Sequence, residues 1–365
     1  MTPIKIGFVL LSNSQHPMPS TRIVVFNMFP FLRSASFEPH IAFEPDMSTE
    51  TPDVSGLASS LLAKGFRIVF FQKVHGPSVV DLARQLSASG IRTVYSVCDL
   101  VNVEMAKATD FTIVISDYLK SLYPQELHPK IRVVHDGIEH PDVCKTNWGV
   151  HRGTRNSPLR AVLVTSAILD HLPILGIPPE WLEVTIMGRY PQPGQILQRL
   201  REVRWKIGTQ RSMRERMSYL RFLANRRIRC QAWDPVGVYE AMQQADIGII
   251  PVTTSPEHEP GQVPPHWKVK SENRLTMKMC VGLPVIATPL PSYEPVIEQG
   301  SNGFLARSRQ EWFEYLEALR DPTLRQTIGE RARESVLNRY SMQEQARCLI
   351  KVLRDLLQEG VSVCD

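Results

Sequence analysis

No run of about 18 apolar residues occurs anywhere in the 365-residue chain, so no segment is expected to cross a membrane as a helix. The apolar stretch nearest the start, residues 6–11, is too brief for the core of a secretion signal with its cleavage site. The six cysteines (98, 144, 230, 280, 348 and 364) form no C-x-x-C pair and share no zinc-like spacing with histidine. Buried, reduced thiols follow, and with them a reducing, cytoplasmic setting. Disorder is excluded by composition: 43% of residues are apolar and 22% charged, an ordinary balance for a chain that buries two cores.

An excess of one charge is also missing overall, since the net charge is only +5. It is unevenly placed. Residues 199–229 hold eleven Lys or Arg (199, 201, 204, 206, 211, 214, 216, 221, 226, 227 and 229) against two Glu. Two readings stand side by side: a solvated helical face, or a surface for anionic lipid headgroups or an anionic acceptor. Nucleic acid is set aside, because the stretch lies within an α/β pattern and no aromatics are expected to face solvent there.

What is present is alternation. Apolar strand patterns over 4–11, 38–43, 67–71, 93–97, 111–115 and 131–134 are separated by helical patterns over 21–33, 54–64, 78–89, 102–109 and 118–123. Residues 140–158 lose that periodicity and gather Pro, Gly and Asn, the mark of a linker and a hinge for closure. Strand patterns then resume at 159–165, 182–187, 228–232 and 247–251, and helices close the chain at 310–320, 322–338 and 342–358. The pattern is α/β, with two doubly wound, mostly parallel sheets and ligands outside the strands' carboxyl ends.

The densest signal is residues 270–305, KSENRLTMKMCVGLPVIATPLPSYEPVIEQGSNGFL. It reads as a helix capped by Ser271, with Leu275, Met279 and Val281 on its apolar face, stopped by Gly282, then a strand at 284–287 and a second helix. A helix N-terminus flanked by Lys270 and Arg274 suits a phosphate. The run Met279-Cys280-Val281-Gly282-Leu283-Pro284-Val285-Ile286-Ala287 resembles the M-A-x-G-x-P-V-[VI]-A signature of group-1, retaining glycosyltransferases of the GT-B fold, where it lies beside the donor diphosphate. The resemblance covers nearly all of the chain.

That resemblance implies two Rossmann-like domains, at 1–140 on the acceptor side and 159–340 for the nucleotide sugar, joined by a linker at 141–158. A last helix, within 341–365, would cross back to the first domain. It implies transfer of a hexose-type sugar from a UDP- or GDP-sugar to a glycan or lipid-linked acceptor in cell-envelope synthesis, with peripheral contact to an anionic membrane. No cofactor or metal is implied, and the D-x-D motif of metal-dependent transferases is missing.

Lys270 and Arg274 would neutralise the departing diphosphate, with Ser271 and Asn273 as donor contacts. Gly188 and Trp233 would approach the nucleoside, although Trp233 also reads as a packed core residue. Ser20 and Arg22, in Pro19-Ser20-Thr21-Arg22, and Lys73 fall on the acceptor side, Ser20 serving equally well as an N-cap. His75 and Asp99 follow strands and are candidate catalytic groups, against a solvated loop histidine and a helix cap. His135-Asp136-Gly137-Ile138-Glu139 resembles the family's domain-junction corner, with Gly137 expected at positive φ. The family's paired glutamates fall at Val269 and Met277 here. Glu257, Glu259 or Glu294 could restore a carboxylate, and a catalytically silent relative that binds without turnover is the alternative.

Overall fold

The structure is a computed structural model and describes residues 2–192, 194–254 and 264–358. The described residues fall into two compact units: 2–139 with 264–273 and 339–358, and 140–192, 194–254 and 274–338. Each carries a six-stranded, wholly parallel sheet.

In the first unit the strands are β1 (Ile4–Val9), β2 (Phe37–Phe43), β3 (Ile68–Gln72), β4 (Arg92–Val97), β5 (Phe111–Val114) and β6 (Ile131–Val133), in the order β2-β1-β3-β4-β5-β6. The chain reverses its winding between β1 and β3, which places a crevice at their carboxyl ends. Strand β3 is buried at every position, as a central parallel strand with both faces covered must be. Phe8 and Phe70 pack as a tilted pair, ring centroids 5.1 Å apart, on one face, among the side chains that the last helix, Met342–Gln358, brings to this unit. Burying each such ring contributes roughly 2–3 kcal/mol. The crossing-back of that helix is therefore realised, through Ala346, Leu349, Leu353 and Leu356. Gly137 differs from expectation. Its φ is not positive; a Cβ there would lie 2.7 Å from Met342 Sδ, so the glycine permits the approach of this helix.

The expected helix at 21–33 is broken. Pro19–Val24 and Phe29–Ser34 are α-helical with a 3₁₀ turn at Phe26–Met28 between them, and Pro30 stands at the start of the second piece, where its missing N–H is harmless.

The second unit holds β7 (Leu159–Val164), β8 (Leu182–Gly188), β9 (Ile228–Ala232), β10 (Ile247–Ile250), β11 (Val285–Ala287) and the two-residue β12 (Phe304–Leu305), ordered β12-β11-β10-β7-β8-β9. Residues 140–158 lack regular structure, yet they are fastened down. Arg325, fully buried, donates to the carbonyls of Trp148, Gly149, His151, Leu319 and Arg320, and Trp148 Nε1 donates to Gly282 O at 2.8 Å. After β11 the expected second helix is a series of turns at 291–296, where Pro291 and Pro295 interrupt the helical pattern.

Candidate functional site

The carboxyl ends of β3 and β4 carry a compact charged cluster. Lys73 follows β3 directly with φ 59°, an unusual left-handed conformation for a lysine, and its N–H donates to Ser96 O at 2.8 Å. Its Nζ lies 2.8 Å from Asp99 Oδ1 and 3.0 Å from Glu50 Oε1. Asp99 Oδ2 is 3.4 Å from Lys270 Nζ, and His75 Nε2 is 3.7 Å from Glu50 Oε2. Lys73 and His75, Asp99 and Lys270, from three separate segments, thus form one group with Glu50. Burial works against ionised Asp99, but Lys73 and Lys270 outweigh it and hold its pKa below the ordinary carboxylate value. Burial likewise opposes the Lys73 ammonium, while Cys98, Asp99 and Glu50 keep its pKa above the usual one.

Neither Asp99 nor Ser20 is a helix cap. The helix after β4 is capped by Asn102, whose Oδ1 accepts from Met105 N, which leaves Asp99 to the lysines. Ser20 is the second residue of the helix Pro19–Val24 and lines a cavity of about 20 Å³, room for about one water, with Gln72, Lys73 and His135. Arg22 is held in a bidentate pair with Glu139, at 2.6 and 2.8 Å.

A second group lies in the same unit. His135 Nδ1 is 2.9 Å from Glu272 Oε1, and the Ser271 hydroxyl hydrogen-bonds Asp136. Asp136 and Glu272 are 6% and 1% exposed, and each keeps one oxygen without a partner among the described residues. Burial, reinforced by the Glu272 charge, pushes the Asp136 carboxyl up to about 7. Glu272 raises His135 above the ordinary histidine value against the opposing effect of burial. Ser271 therefore serves Asp136; the helix that follows starts only at Asn273 and runs to Val281.

In the second unit Gly188 ends β8, and its carbonyl accepts from Trp233 N at 2.8 Å. Their chain neighbours Met187, Ala232 and Asp234, with Gln195, Arg199 and Glu240, line a cleft of about 480 Å³ at the carboxyl ends of β8 and β9. Its size suits a small ligand, at the strand ends where parallel sheets bind them. Arg274 is the second residue of the helix Asn273–Val281, and its carbonyl accepts from the fully buried Lys278 at 3.0 Å. Glu294 is more than half exposed and faces Arg307 at 3.7 Å. Glu257 and Glu259 lie outside the described residues. Val269 is buried in the first unit's core and offers no hydrogen-bonding side chain. Among the described residues no three His, Cys, Asp or Glu side chains gather as a metal site.

HepE of Anabaena, in crystals with UDP and glucose, superposes with a TM-score of 0.63 over 96% of this chain and 100% of its own, at 13% identity. The chain has the GT-B fold. Two more GT-B proteins match at 12% identity over 98% of this chain and all of theirs. They are a glycosyltransferase of Rickettsia africae, with a TM-score of 0.66, and sucrose-phosphate synthase of Thermosynechococcus elongatus, with 0.62. The profile of the glycosyl transferase-like family matches residues 197–351. No curated protein matches the chain. The sequence resemblance to GT-B glycosyltransferases thus holds, and both parallel sheets match that fold.

Sequence reading missed Glu50, Asp136 and Glu272 as members of these groups. Glu272 carried a signal, being the one acid in the Lys-Ser-Glu-Asn-Arg run. Glu50 lies in a loop without periodicity, and only the sheet order brings it to Lys73.

Proposed function

We propose that this GT-B chain is a metal-independent, retaining glycosyltransferase that moves a hexose-type sugar from a UDP- or GDP-sugar to an acceptor hydroxyl. The acceptor is a cell-envelope glycan or a lipid-linked saccharide, reached at an anionic membrane surface. The observation that carries this reading is the cluster of Lys73, Asp99 and Lys270 at the strand ends of a GT-B domain. Support for the donor comes from the cleft beside Gly188 and Trp233, and from the UDP-glucose held by HepE.

In the reaction the anomeric C–O bond to the diphosphate breaks as the acceptor oxygen bonds on the same face. The acceptor proton passes to the departing diphosphate. Lys270 is the cation assigned to the charge that develops there, with Arg274 as the further candidate. His75, beside Glu50, is the candidate for a polar contact with the acceptor. Preorganised cations of this kind are worth about 10²–10³ in rate.

Thermal shift with UDP, GDP, ADP and CMP, each with and without EDTA, tests donor class and metal independence together. One diphosphate should stabilise the chain equally in both conditions. Lys270→Ala should then lower turnover by about 10²-fold while the melting temperature is kept. A second reading, a silent relative that binds without turnover, is favoured by the burial of Val269 and the apolar Met277 where paired glutamates would stand. Stabilisation by a diphosphate without any transfer or donor hydrolysis would establish it.

A further inference from the structure

The helices Ile196–Thr209 and Met213–Ala224 present an unusual surface. The first has no buried residue over fourteen positions. Val203 and Ile207 rest on the second unit's core, and Lys206 reaches Asp170 at 3.2 Å, which fixes the inner face. Residues 197, 200, 201, 204 and 205 then fall together on the outer face, at the i, i+3, i+4 spacing of one helical stripe. They are Leu197, Leu200, Arg201, Arg204 and Trp205. The three apolar members are 73%, 61% and 64% exposed.

The second helix repeats the arrangement. Tyr219 and Phe222 are buried in the core, while Met213, Met217 and Leu220 stand outward at 68%, 46% and 43% exposure, with Arg214 and Arg221 beside them. Eight of the fourteen large apolar side chains exposed among the described residues lie between 196 and 223. Ordinary solvated helices expose charge, not leucine, methionine and tryptophan together. The expectation that no aromatic of this stretch faces solvent fails at Trp205, because Val203 and Ile207 occupy the inner face. Arg201, Arg204, Arg214 and Arg221 have no carboxylate partner among the described residues.

We propose that the outer faces of these two helices dock the protein on an anionic lipid surface. Leu197, Leu200, Trp205, Met213, Met217 and Leu220 would enter the headgroup boundary while the arginines meet lipid phosphates. Apolar side chains flanked by unpaired arginines, with a tryptophan, are the composition of helices that lie in that boundary. A protein partner would offer carboxylates one by one, whereas lipid offers apolar depth and negative charge continuously along both helices. This inference deepens the membrane contact in the function proposed above, and it can fail while the transferase reading stands.

The test is co-sedimentation of the full chain with phosphatidylcholine vesicles, with and without about 30% phosphatidylglycerol, at low and high salt. UDP-induced thermal shift is measured in parallel. Binding should require the anionic lipid, weaken in high salt, and fall at least about tenfold in Leu200→Ser/Trp205→Ser and, separately, in Arg201→Glu/Arg204→Glu. These positions are exposed, so both variants should keep the wild-type melting temperature and UDP response. Brominated lipid should quench the tryptophan fluorescence of wild type more than that of Trp205→Phe. Equal binding of variants and wild type, or equal binding to neutral vesicles, would overturn the proposal. So would no vesicle binding together with a dimer, or an oligonucleotide complex, that the same substitutions abolish.

Discussion

Asp99 stands between two lysines: Oδ1 is 2.8 Å from Lys73 Nζ, and Oδ2 is 3.4 Å from Lys270 Nζ. One carboxylate thus orients the ammonium that follows β3 and the one that precedes the helix Asn273–Val281. Both lysines are under 30% exposed, so neither is held by water alone.

Asp99→Asn keeps the shape of the side chain and removes the charge that orients both ammonium groups. Turnover should fall about 10- to 100-fold, since misplacing a charge-stabilising group forfeits part of its effect. Because the lysines remain, UDP-induced stabilisation should persist. Steady-state kinetics with the donor identified by thermal shift would check this, and unchanged turnover would remove Asp99 from the site.

The pair Asp136 and Glu272 yields a pH prediction. Asp136 titrates near 7 in the fold, against an ordinary carboxylate in the unfolded chain. Between about pH 4 and 7 the folded state therefore holds a proton that the unfolded state has lost, so stability declines as pH rises through that window. His135, raised by Glu272, acts in the same direction: its contribution is full below the ordinary histidine value and disappears as pH passes its folded one. Asp136→Asn removes the carboxylate's share while leaving an acceptor for Ser271. It should flatten the stability profile from pH 5 to 8 and exceed wild type at pH 8 by about 2 kcal/mol. Urea unfolding at several pH values measures it, and parallel profiles would show that Asp136 does not carry the shift.

Much of this was legible in the sequence because it is periodic. Strands such as Ile68–Gln72 read as buried runs, and Gly282 marks the end of its helix. Lys73, His75, Asp99 and Lys270 were visible as polar residues at the ends of strands or helices. Their common location was not, because Lys270 joins the first unit from a segment about 170 residues beyond Asp99. The roles of Ser20 and Asp99 as caps failed for a local reason: Met18 and Asn102, not they, occupy the cap positions. Residues 140–158 read as a linker because many of their carbonyls are taken by side chains from elsewhere, Trp148, Gly149 and His151 by Arg325 and Arg152 and Gly153 by Arg320, pairings that leave no periodic trace.

Lys278 gives the last prediction. It is fully buried in the helix Asn273–Val281, and its stem packs against Gly248 of β10, where a Cβ would lie 3.1 Å from Lys278 Cδ. Its ammonium reaches only the carbonyl of Arg274 among the described residues. Burial, and then the Arg274 charge, depress its pKa well below the ordinary lysine value. Between that depressed value and about 10.4 the unfolded chain binds the extra proton, so this lysine destabilises the fold progressively as pH falls through the window, and fully below it. Lys278→Met keeps the unbranched stem and removes the charge. The variant should be more stable than wild type at pH 7 by at least about 1 kcal/mol, with the advantage shrinking as pH approaches 10. Thermal unfolding across that range decides it. A less stable variant at pH 7 would mean that the bond to the Arg274 carbonyl outweighs the burial of the charge.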